Sequence, residues 1–306
     1  MRINRLDLNQ LACLDALLAQ RSVSRAAEQV NLSQPAVSAS LARLRSYFGD
    51  PLLVPAGRGL NLTPFAQSLM EPVRDLLLQA QALTRRRPEL DPARIEREIT
   101  IVASDYVQTV ALNGLFKRAE REAPGIRFEV RSISGYLAEE LDQGGVDLVV
   151  SLATGVSPTH PSEPLFRDTF SCVAWAGNTA LGRSLSRDRF LHLGHVTAAL
   201  GRGRTPTLDQ IAMDVHGLTR KVEVCVPNFT LIPGCVVGTN RIATMQTMLA
   251  KRLARQWPLR VLRCPIDIAE IVAAVQWHRH QSHDPAINWV RRTLREVVRA
   301  ERLRPA

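Results

Sequence analysis

The stretch from residue 22 to residue 48 reads SVSRAAEQVNLSQPAVSASLARLRSYF, and it decides the fold of the first part of the chain. Ser22 offers its hydroxyl as the N-cap of a short helix, and Asn31 tolerates the left-handed backbone that a sharp turn between helices requires. Leu32 is expected to fill the corner, and Ser33 caps the helix that follows. Two short helices joined by so tight a turn are typical of a helix-turn-helix.

The helix after the turn has one apolar face and one face without any acidic residue. The apolar positions recur at helical spacing and are Val37, Leu41, Leu44 and Phe48. The opposite face carries Pro35, Ser38, Ala39, Ala42, Arg43 and Ser46. Small side chains and one basic residue, Arg43, suit a helix that enters a DNA major groove about 12 Å wide beside the phosphates. The alternative is a plain three-helix packing unit.

Several side chains in this region are chemically suited to contact DNA. The amide of Gln34 can form two hydrogen bonds with an adenine edge, and the hydroxyl and basic side chains suit phosphate or base contacts. The predicted set on the two helices is Ser22, Ser24, Ser33, Gln34, Pro35, Ser38 and Arg43. Residues 51–61 contain two apolar pieces around PAGRG, which predicts a hairpin wing with Arg58 near its tip. Arg58 would reach the sugar-phosphate backbone or a narrow minor groove, unless it is an ordinary loop arginine.

A long helical pattern follows the wing, from residue 63 to residue 87. Thr63 is its predicted N-cap, with Pro64 at the first helical position. Its apolar residues have heptad spacing and are Ala66, Leu69, Val73, Leu76, Ala80 and Leu83. This seam predicts pairing with a second copy of the helix, although packing on the helix's own domain is the alternative. Pro72 removes a helical hydrogen bond at a cost of about 3 kcal/mol, so we expect a bend or a restart there.

The character of the chain changes after Pro92. Strand patterns alternate with helical patterns, as in the strand 99–103, the helix that ends at Glu122 and the strand 127–130. This alternation indicates an α/β domain with a mostly parallel sheet. We therefore predict a winged helix-turn-helix DNA-binding domain over 1–62, a linker and dimerisation helix with a hinge over 63–92, and an effector-binding domain over 93–306.

Two strand-to-helix junctions in the last domain suggest a ligand cleft. They are Ser104-Asp105 and Pro227-Asn228-Phe229, the second after a strand at 222–226. A helix N-terminus presents unpaired N–H groups and a partial positive charge, which can bind a carboxylate or a polarised oxygen. A polar cap without a ligand would have the same sequence.

Composition narrows the functional class. The 306 residues are 45% hydrophobic and 22% charged, as in ordinary soluble proteins. The net charge of +10 favours a polyanionic partner such as nucleic acid. The alternative is that the many arginines only reflect genomic base composition. Five scattered cysteines without a C-x-x-C spacing are expected to be core residues in a reducing cytoplasm. We find no apolar signal core and no span long enough for a bilayer, so we expect a cytoplasmic protein.

The sequence offers no catalytic site and no cofactor site. Nucleophile elbows, P-loops and dinucleotide fingerprints are missing, so an enzyme is not expected. His278, His280 and His283 raise the possibility of a metal site, but no cysteine or carboxylate cluster completes a ligand shell except Asp284. We predict neither a metal nor a cofactor.

The motifs resemble the LysR-type transcriptional regulators. The resemblance rests on Ala26-Ala27, on LSQPAVS over 32–38 and on LARL over 41–44, with two departures, Arg45 in place of the usual Glu and Leu53 in place of the usual Phe. The motifs GVDLV over 145–149, GRGRTP over 201–206 and VGTNRIAT over 237–244 are similar to the effector domain of the branch that holds the nodulation, naphthalene, salicylate and nitrotoluene regulators.

This resemblance implies a fold like that of periplasmic binding proteins, in which an effector binds between two α/β subdomains. Subdomain 1 would comprise about 93–165 and 266–306, and subdomain 2 about 166–265. It also implies a homodimer or homotetramer that binds double-stranded DNA and contacts RNA polymerase, with an aromatic or phenolic effector. An activator is expected, although the sequence leaves activation and repression open. The branch often has Gly-His-Pro where this chain has GNT over 177–179, which puts the ligand chemistry in doubt.

Side chains at the matched junctions are the predicted lining of the effector cleft. They are Ser104, Gln108, Ser132, Ser151, Thr205, Asn228 and Phe229. The ring of Phe229 is expected to stack on an effector ring, while Tyr106 and Phe170 could line either the cavity or the core.

Three classes of protein remain to be compared, namely a ligand-gated regulator, a solute-binding protein of transport, and an α/β enzyme with a helical appendage. The solute-binding class does not account for residues 1–62, and the enzyme class lacks an acid-base or nucleophile constellation. We therefore favour a regulator in which the effector changes the angle between the subdomains and thereby the bend of the DNA.

Overall fold

The computed structural model describes residues 6–57, 59–85, 91–133, 137–182, 184–199 and 206–302. The chain divides into two compact units, Met1–Arg86 and Arg87–Ala306. The division falls after the long helix, so this helix belongs to the first unit and does not form a separate segment. Within the described residues, no helix is long and apolar enough to cross a membrane.

The first unit is a helix-turn-helix with a hairpin and a long fourth helix. Its elements are α1 (Leu8–Gln20), α2 (Val23–Gln29), α3 (Gln34–Phe48), β1 (Leu53–Ala56), β2 (Gly59–Leu62) and α4 (Pro64–Arg85). The predicted caps are present, because Ser22 Oγ accepts from the Arg25 amide and Ser33 Oγ accepts from the Ala36 amide. Asn31 has the expected positive φ of 54°. Leu32 differs from the prediction, because its side chain is 49% exposed and does not fill the corner.

Helix α4 runs without interruption through Pro72, so the predicted restart does not occur. Thr63 caps it, with its hydroxyl oxygen accepting from the Ala66 amide at 3.0 Å. The predicted seam divides into two halves. Ala66 and Val73 are buried in the core of the first unit, whereas Leu83 is 68% exposed. The first half of the seam therefore packs on the helix's own unit, because α1 lies against it.

The second unit contains two five-stranded mixed sheets. Its strands are β3 (Arg97–Ala103), β4 (Ile126–Arg131), β5 (Leu148–Leu152), β6 (Ser162–Asp168), β7 (Phe170–Trp175), β8 (Gly194–Ala198), β9 (Lys221–Val226), β10 (Ile242–Gln246), β11 (Leu259–Arg263) and β12 (Ile271–Trp277). Its α-helices are α5 (Asp105–Val107), α6 (Asn113–Glu122), α7 (Leu137–Asp142), α8 (Arg187–His192), α9 (Leu208–Val215), α10 (Ile232–Val236), α11 (Thr247–Leu253) and α12 (Pro285–Arg302). A π-helical segment, Gln108–Leu112, joins α5 to α6.

The strand order is β4-β3-β5-β12-β6 in the first sheet and β11-β7-β10-β8-β9 in the second. The chain crosses between the sheets twice, from Asp168 to Phe170 and from Arg263 to Ile271. The first crossing lies beyond the predicted position near 166 because β6 continues to Asp168. The strands that flank the crossings, β6, β7, β11 and β12, pair antiparallel with their neighbours. The sheets are therefore mixed, and the expectation of a mostly parallel sheet was wrong.

Side chains from both sheets share one hydrophobic core. Ile101 and Val275 of the first sheet belong to the same buried cluster as Val173 and Met245 of the second. Helix α12 covers the first sheet through Trp289, which is 2% exposed. The two subdomains consequently pack directly against each other.

Burial disfavours the charged form of two histidines in the second unit. Burial lowers the pKa of His195, whose Nε2 lies 2.6 Å from the carbonyl oxygen of Phe190. Burial also lowers the pKa of His160, although Asp142 opposes the shift. The Arg279 amide donates to His160 Nδ1 at 3.3 Å, so the ring proton resides on Nε2 and points at Asp142. These bonds occupy both nitrogens of His160, and the described residues contain no metal-binding group of three or more His, Cys, Asp or Glu.

The buried histidines predict that the protein loses stability in mild acid. Their pKa values in the folded state lie below the ordinary value of 6.5, so the unfolded chain takes up protons first as the pH falls. Their contribution to stability is present above pH 6.5 and is lost as the pH falls toward the folded-state values. Urea unfolding from about pH 7.5 to about pH 5 should show a falling midpoint. His195→Gln, which keeps a side-chain N–H donor, should flatten that dependence, and an unchanged slope would contradict the prediction.

Candidate DNA interface and effector cleft

Helix α3 presents an exposed face with the predicted chemistry. Val37, Leu41 and Leu44 are buried in the core of the first unit. The exposed positions include Gln34, Pro35, Ser38, Ala39, Ala42, Arg43 and Ser46. No acidic side chain lies on this face, so it is small, polar and basic. Such a surface can approach the phosphates of a duplex without charge repulsion.

The first residue of α3 is oriented by the helix before it. The Ser24 hydroxyl lies 3.3 Å from Gln34 Oε1 and donates to it. This bond engages the amide oxygen of Gln34, whose side chain is exposed. Ser22 and Ser33 use their oxygens as caps, but each hydroxyl still has a proton to donate to a phosphate. The DNA contacts predicted for these residues are untested by this geometry and stay predictions.

The wing is a short antiparallel hairpin held at its base by Arg45. Leu53 pairs with Leu62 and Ala56 pairs with Gly59. Gly57 has a φ of +57°, which suits the first residue of a tight hairpin turn. Arg45 Nε donates to the carbonyl oxygen of Pro51 at 2.7 Å, and its Nη2 donates to that of Leu53 at 2.9 Å. Arg58, the predicted wing contact, lies outside the described residues.

Arg45→Met is expected to loosen the wing. The substitution removes two hydrogen bonds to wing carbonyls and leaves the aliphatic part of the side chain in place. We expect binding to any DNA to weaken by about fivefold, which corresponds to about 1 kcal/mol. Gel-shift titrations on specific and random fragments provide the measurement, with hydrogen exchange of residues 51–62 as the structural readout.

Arg45→Lys is the matched control for that prediction, because it keeps the positive charge and loses the two-pronged geometry. If Arg45→Lys binds DNA as weakly as Arg45→Met does, the effect belongs to wing positioning and not to charge. Wild-type exchange rates in the Met variant would contradict the role proposed for Arg45.

The sequence predicts an effector cleft at the boundary between the two sheets, and its position stays a prediction. Strands β3, β4 and β5 are parallel within the first sheet, and β8, β9 and β10 are parallel within the second. Ligands of open α/β sheets bind in crevices at the carboxyl ends of strands. Both junctions that were predicted from the sequence, after β3 and after β9, lie at this boundary.

Direct hydrogen bonds join the subdomains at the boundary. Asp105 Oδ2 accepts from the Thr230 amide at 2.7 Å, which connects the end of β3 to the turn after β9. The Tyr106 hydroxyl donates to Asp168 Oδ2 at 2.7 Å, and Asp168 also accepts from the amides of Thr169 and Met248. Asp168 therefore connects the first crossing segment to both subdomains.

The predicted cleft residues fall into different environments. Gln108, Ser132 and Asn228 are exposed, and Ser104 and Ser151 are half-buried. Ser104 Oγ accepts from the Val107 amide at 3.3 Å, so the polar cap that was the alternative is present. Thr205 lies outside the described residues. A role of the others in effector binding stays a prediction.

The structure contradicts the role predicted for one cleft residue, Phe229. Its ring is 2% exposed and belongs to the hydrophobic core. A ring packed on all sides cannot stack on a ligand without leaving the core, so the stacking role predicted for Phe229 is wrong for this conformation. The aromatic side chain suited the junction by type, but the turn after β9 directs it inward.

Two acceptor oxygens at the boundary were missed by sequence reasoning. Asp105 Oδ1 and Gln246 Oε1 are buried, and neither has a hydrogen-bond partner in the described structure. Asp105 follows β3, and Gln246 is the last residue of β10. A buried acceptor without a donor costs about 1–3 kcal/mol, so a ligand or water that donates to it would be favoured. Asp105 could have been found from its position beside Ser104 at a predicted junction. No local feature of the sequence points to Gln246.

Comparison with known protein families divides the chain in the same way as its structure. Residues 8–67 match the family described as bacterial regulatory helix-turn-helix protein, lysR family. Residues 92–299 match the LysR substrate binding domain. The second match covers more than half of the chain.

Individual relatives resemble the chain over nearly its full length. Nodulation protein D of Bradyrhizobium sp. (strain ANU 289) is 40% identical over 296 residues, covering 97% of this chain and 88% of that protein. Nodulation protein D 2 of Sinorhizobium fredii (strain NBRC 101917 / NGR234) is 42% identical over 294 residues, with coverage of 96% and 94%. The solved structure of the probable transcriptional regulator PA0477 from Pseudomonas aeruginosa is 26% identical, covers 96% of this chain and 98% of that one, and has a TM-score of 0.64.

Proposed function

Because the chain belongs to the LysR family of bacterial helix-turn-helix regulators, we propose that it reads a promoter through α3 and adjusts transcription when a small molecule occupies the cleft of its second unit. The chain is a DNA-binding transcriptional regulator with an effector-binding domain, and the family consists of regulators and not of enzymes. The observation that carries the DNA-binding half is the exposed, acid-free face of α3.

Base reading is assigned to Gln34, with Ser24 as the side chain that orients it. The amide nitrogen can donate to an adenine N7 while Oε1 accepts from N6, if Oε1 exchanges Ser24 for the base. Ser38 and Arg43 lie further along the exposed face and suit phosphate contacts. Ser22, Ser33 and Pro35 would face the backbone at the start of the helices, and Arg58 would reach the groove beside the wing.

We infer that the effector carries hydroxyl donors. Two buried oxygens, Asp105 Oδ1 and Gln246 Oε1, have no hydrogen-bond donor among the described residues. A phenolic hydroxyl would supply a donor to either oxygen, whereas a carboxylate effector would face the charge of Asp105. These oxygens support the phenolic class that the family branch suggests. The domain boundaries predicted at 62 and 92, and the cleft residues other than Phe229, belong to this proposal.

The proposed mechanism uses the contacts across the boundary. An effector between the strand ends would compete with the Asp105–Thr230 bond and change the angle of the two subdomains at the crossing segments. The effector can shift this equilibrium only by the difference between its affinities for the two states, typically about 1–3 kcal/mol. The DNA-binding units of an oligomer would then be re-spaced on the promoter, which alters the bend offered to RNA polymerase.

We also propose how the protein assembles and where it works. The exposed apolar residues Leu76 and Leu83 of α4 are available to pair with a second copy, which supports a homodimer and, by association of dimers, a homotetramer. A regulator of this kind works in the cytoplasm as an activator that contacts RNA polymerase. The competing interpretation is a solute-binding or enzymatic α/β protein that carries a helical appendage.

A gel-shift titration on the chain's own upstream region tests both halves. We expect a specific shift that one compound changes within a panel of phenols and aromatic acids, with the phenols more effective. A shift that no compound changes would contradict the effector half. Equal binding of specific and random DNA at every salt concentration would contradict the regulatory function and favour the competing interpretation.

A further inference from the structure

A buried carboxylate lies where the chain first crosses between the subdomains. Asp168 is the last residue of β6, and it is only 6% exposed. It pairs in strand register with Ile271, the residue at which the second crossing ends. Ser171, just beyond the first crossing, pairs with Arg263, the residue at which the second crossing begins. Strand pairing therefore holds the two crossings together, and Asp168 lies at one end of this joint.

One oxygen of this carboxylate is shared by the two subdomains. Asp168 Oδ2 accepts from the Tyr106 hydroxyl of α5 at 2.7 Å and from the Met248 amide of α11 at 3.1 Å. Helix α5 follows β3 of the first sheet, whereas α11 follows β10 of the second. The other oxygen, Oδ1, accepts from the Thr169 amide of the crossing itself at 2.8 Å. A single atom thus receives one hydrogen bond from each subdomain.

The Tyr106 side chain is held in place on its own side of the boundary. Its ring is 5% exposed and meets the ring of Phe166 edge to face, with centroids 5.9 Å apart. The next residue, Val107, is buried in the hydrophobic core. A buried ring packed in this way can turn little, so the direction of its hydroxyl is fixed. The hydroxyl of Tyr106 therefore marks one defined point of contact between the subdomains.

The neighbouring contact between Asp105 and Thr230 has a weaker construction. Asp105 is half-buried, and its Oδ2 accepts from the Thr230 amide, while Oδ1 has no partner among the described residues. Thr230 lies in the turn after β9, and β8 separates β9 from β10 in the second sheet. Two strand spacings amount to about 10 Å, so this contact lies about that far across the sheet from the start of α11.

The two contacts respond differently to a rotation of the subdomains. A contact on the rotation axis survives, whereas a contact away from the axis is pulled apart. A turn of about 10° around Asp168 would move a group about 10 Å away by about 2 Å. Such a shift is enough to break the hydrogen bond of 2.7 Å between Asp105 and Thr230.

Given the rotation proposed above, we propose that Tyr106 and Asp168 are positioning residues that fix its axis. The Tyr106 hydroxyl, the Asp168 carboxylate and the Met248 amide form the pivot, and they stay bonded while the subdomains turn. The contact between Asp105 and Thr230 is the one that opens. Without the Tyr106 hydroxyl the subdomains keep their packed core but lose the fixed axis, so the distant contact opens without an effector.

Hydrogen exchange of the full-length protein tests this assignment without any effector. Tyr106→Phe removes the hydroxyl and keeps the ring, and Asp168 retains the amide donors of Thr169 and Met248. We expect the Thr230 amide to exchange about fivefold faster, as one lost hydrogen bond allows, although Tyr106 is not its partner. The Met248 amide should exchange at the wild-type rate. A wild-type rate at Thr230 would overturn the proposal, because a merely local role of Tyr106 predicts that result.

Controls separate the pivot from a general loss of stability. The amides of β12 lie in the core of the second unit, so their exchange reports global unfolding. A rise in β12 equal to that at Thr230 would also overturn the proposal. Tyr47→Phe, the same change at an exposed tyrosine of the first unit, should leave exchange in the second unit unchanged. If Tyr106→Phe does not fold, Asp168→Asn, which removes one carboxylate oxygen, must give the same pattern at Thr230.

DNA footprinting connects the pivot to the regulatory function. On a specific promoter fragment and without any added compound, Tyr106→Phe should bind with wild-type affinity, because α3 is untouched, but with an altered footprint length. A wild-type footprint in a variant whose Thr230 amide is opened would overturn the role of the pivot in DNA binding. If the wild-type protein binds no specific fragment, the regulatory function fails, whereas the exchange pattern still decides whether Tyr106 and Asp168 fix the axis.

Discussion

Replacing Arg220 by Met is expected to lower the free energy of unfolding of the second unit by about 3–5 kcal/mol. Arg220 Nη1 donates to Asp209 Oδ2 at 2.7 Å, and Nη2 donates to Gln210 Oε1 at 3.0 Å. The side chains of Arg220 and Asp209 are only 3% and 5% exposed. Met fills a similar volume but leaves the Asp209 carboxylate buried without its counter-charge, so the cost is that of an unpaired buried charge.

The companion variants of this experiment separate the charge from the packing. The pair is incompletely satisfied, because Asp209 Oδ1 and Arg220 Nε have no partner in the described structure. The double variant Asp209→Leu/Arg220→Met should therefore recover most of the loss. Lys221→Met is the matched control, because Lys221 is adjacent and exposed. Urea unfolding provides the measurement, and a loss in Arg220→Met no larger than that of the control would contradict the prediction.

Gln34→Ala is expected to weaken binding to the cognate promoter by about 1–3 kcal/mol and to leave binding to random DNA almost unchanged. The amide at the start of α3 is exposed and is oriented by the Ser24 hydroxyl. Its loss removes two directional hydrogen bonds to one base, but it removes no positive charge, so the salt dependence of binding should not change. Gel-shift titrations at several salt concentrations on both kinds of fragment provide the measurement.

The control for Gln34 lies on the same helix. Ser46 is exposed near the end of α3 and was assigned no contact, so Ser46→Ala should bind as the wild type does. Ser24→Ala should have a smaller effect than Gln34→Ala, and the double variant should lose less than the sum of the two, because Ser24 acts through Gln34. Equal losses of Gln34→Ala on specific and random DNA would exclude Gln34 from base reading.

The heptad pattern of α4 predicts which residues are buried by a partner, but not which partner buries them. Heptad spacing identifies the residues that seek an apolar partner, but it does not identify the partner. In the structure Ala66 and Val73 pack on α1 of the same chain, and Leu76 and Leu83 remain exposed. Only the packing of the first unit decides which part of the seam is left for a second copy.

Side-chain type likewise did not predict which residues lie at the boundary between the subdomains. Phe229 had the chemistry of a stacking residue, but the turn after β9 buries it. Gln246 had no local feature to mark it, and it reaches the boundary because β10 ends there. Contacts of this kind depend on strand register between distant segments.

The sequence by itself determined the winged helix-turn-helix, including the caps at Ser22 and Ser33, the left-handed Asn31 and the acid-free face of α3. These features depend on hydrogen bonds and backbone preferences within a few residues, so a short stretch contains all the information that they need. The tertiary structure alone decided the mixed sheets, the burial of Phe229 and the link from Asp105 to Thr230. Each of these joins segments that are far apart in the chain, and their geometry is set by the packing of the whole unit and not by the residues on either side.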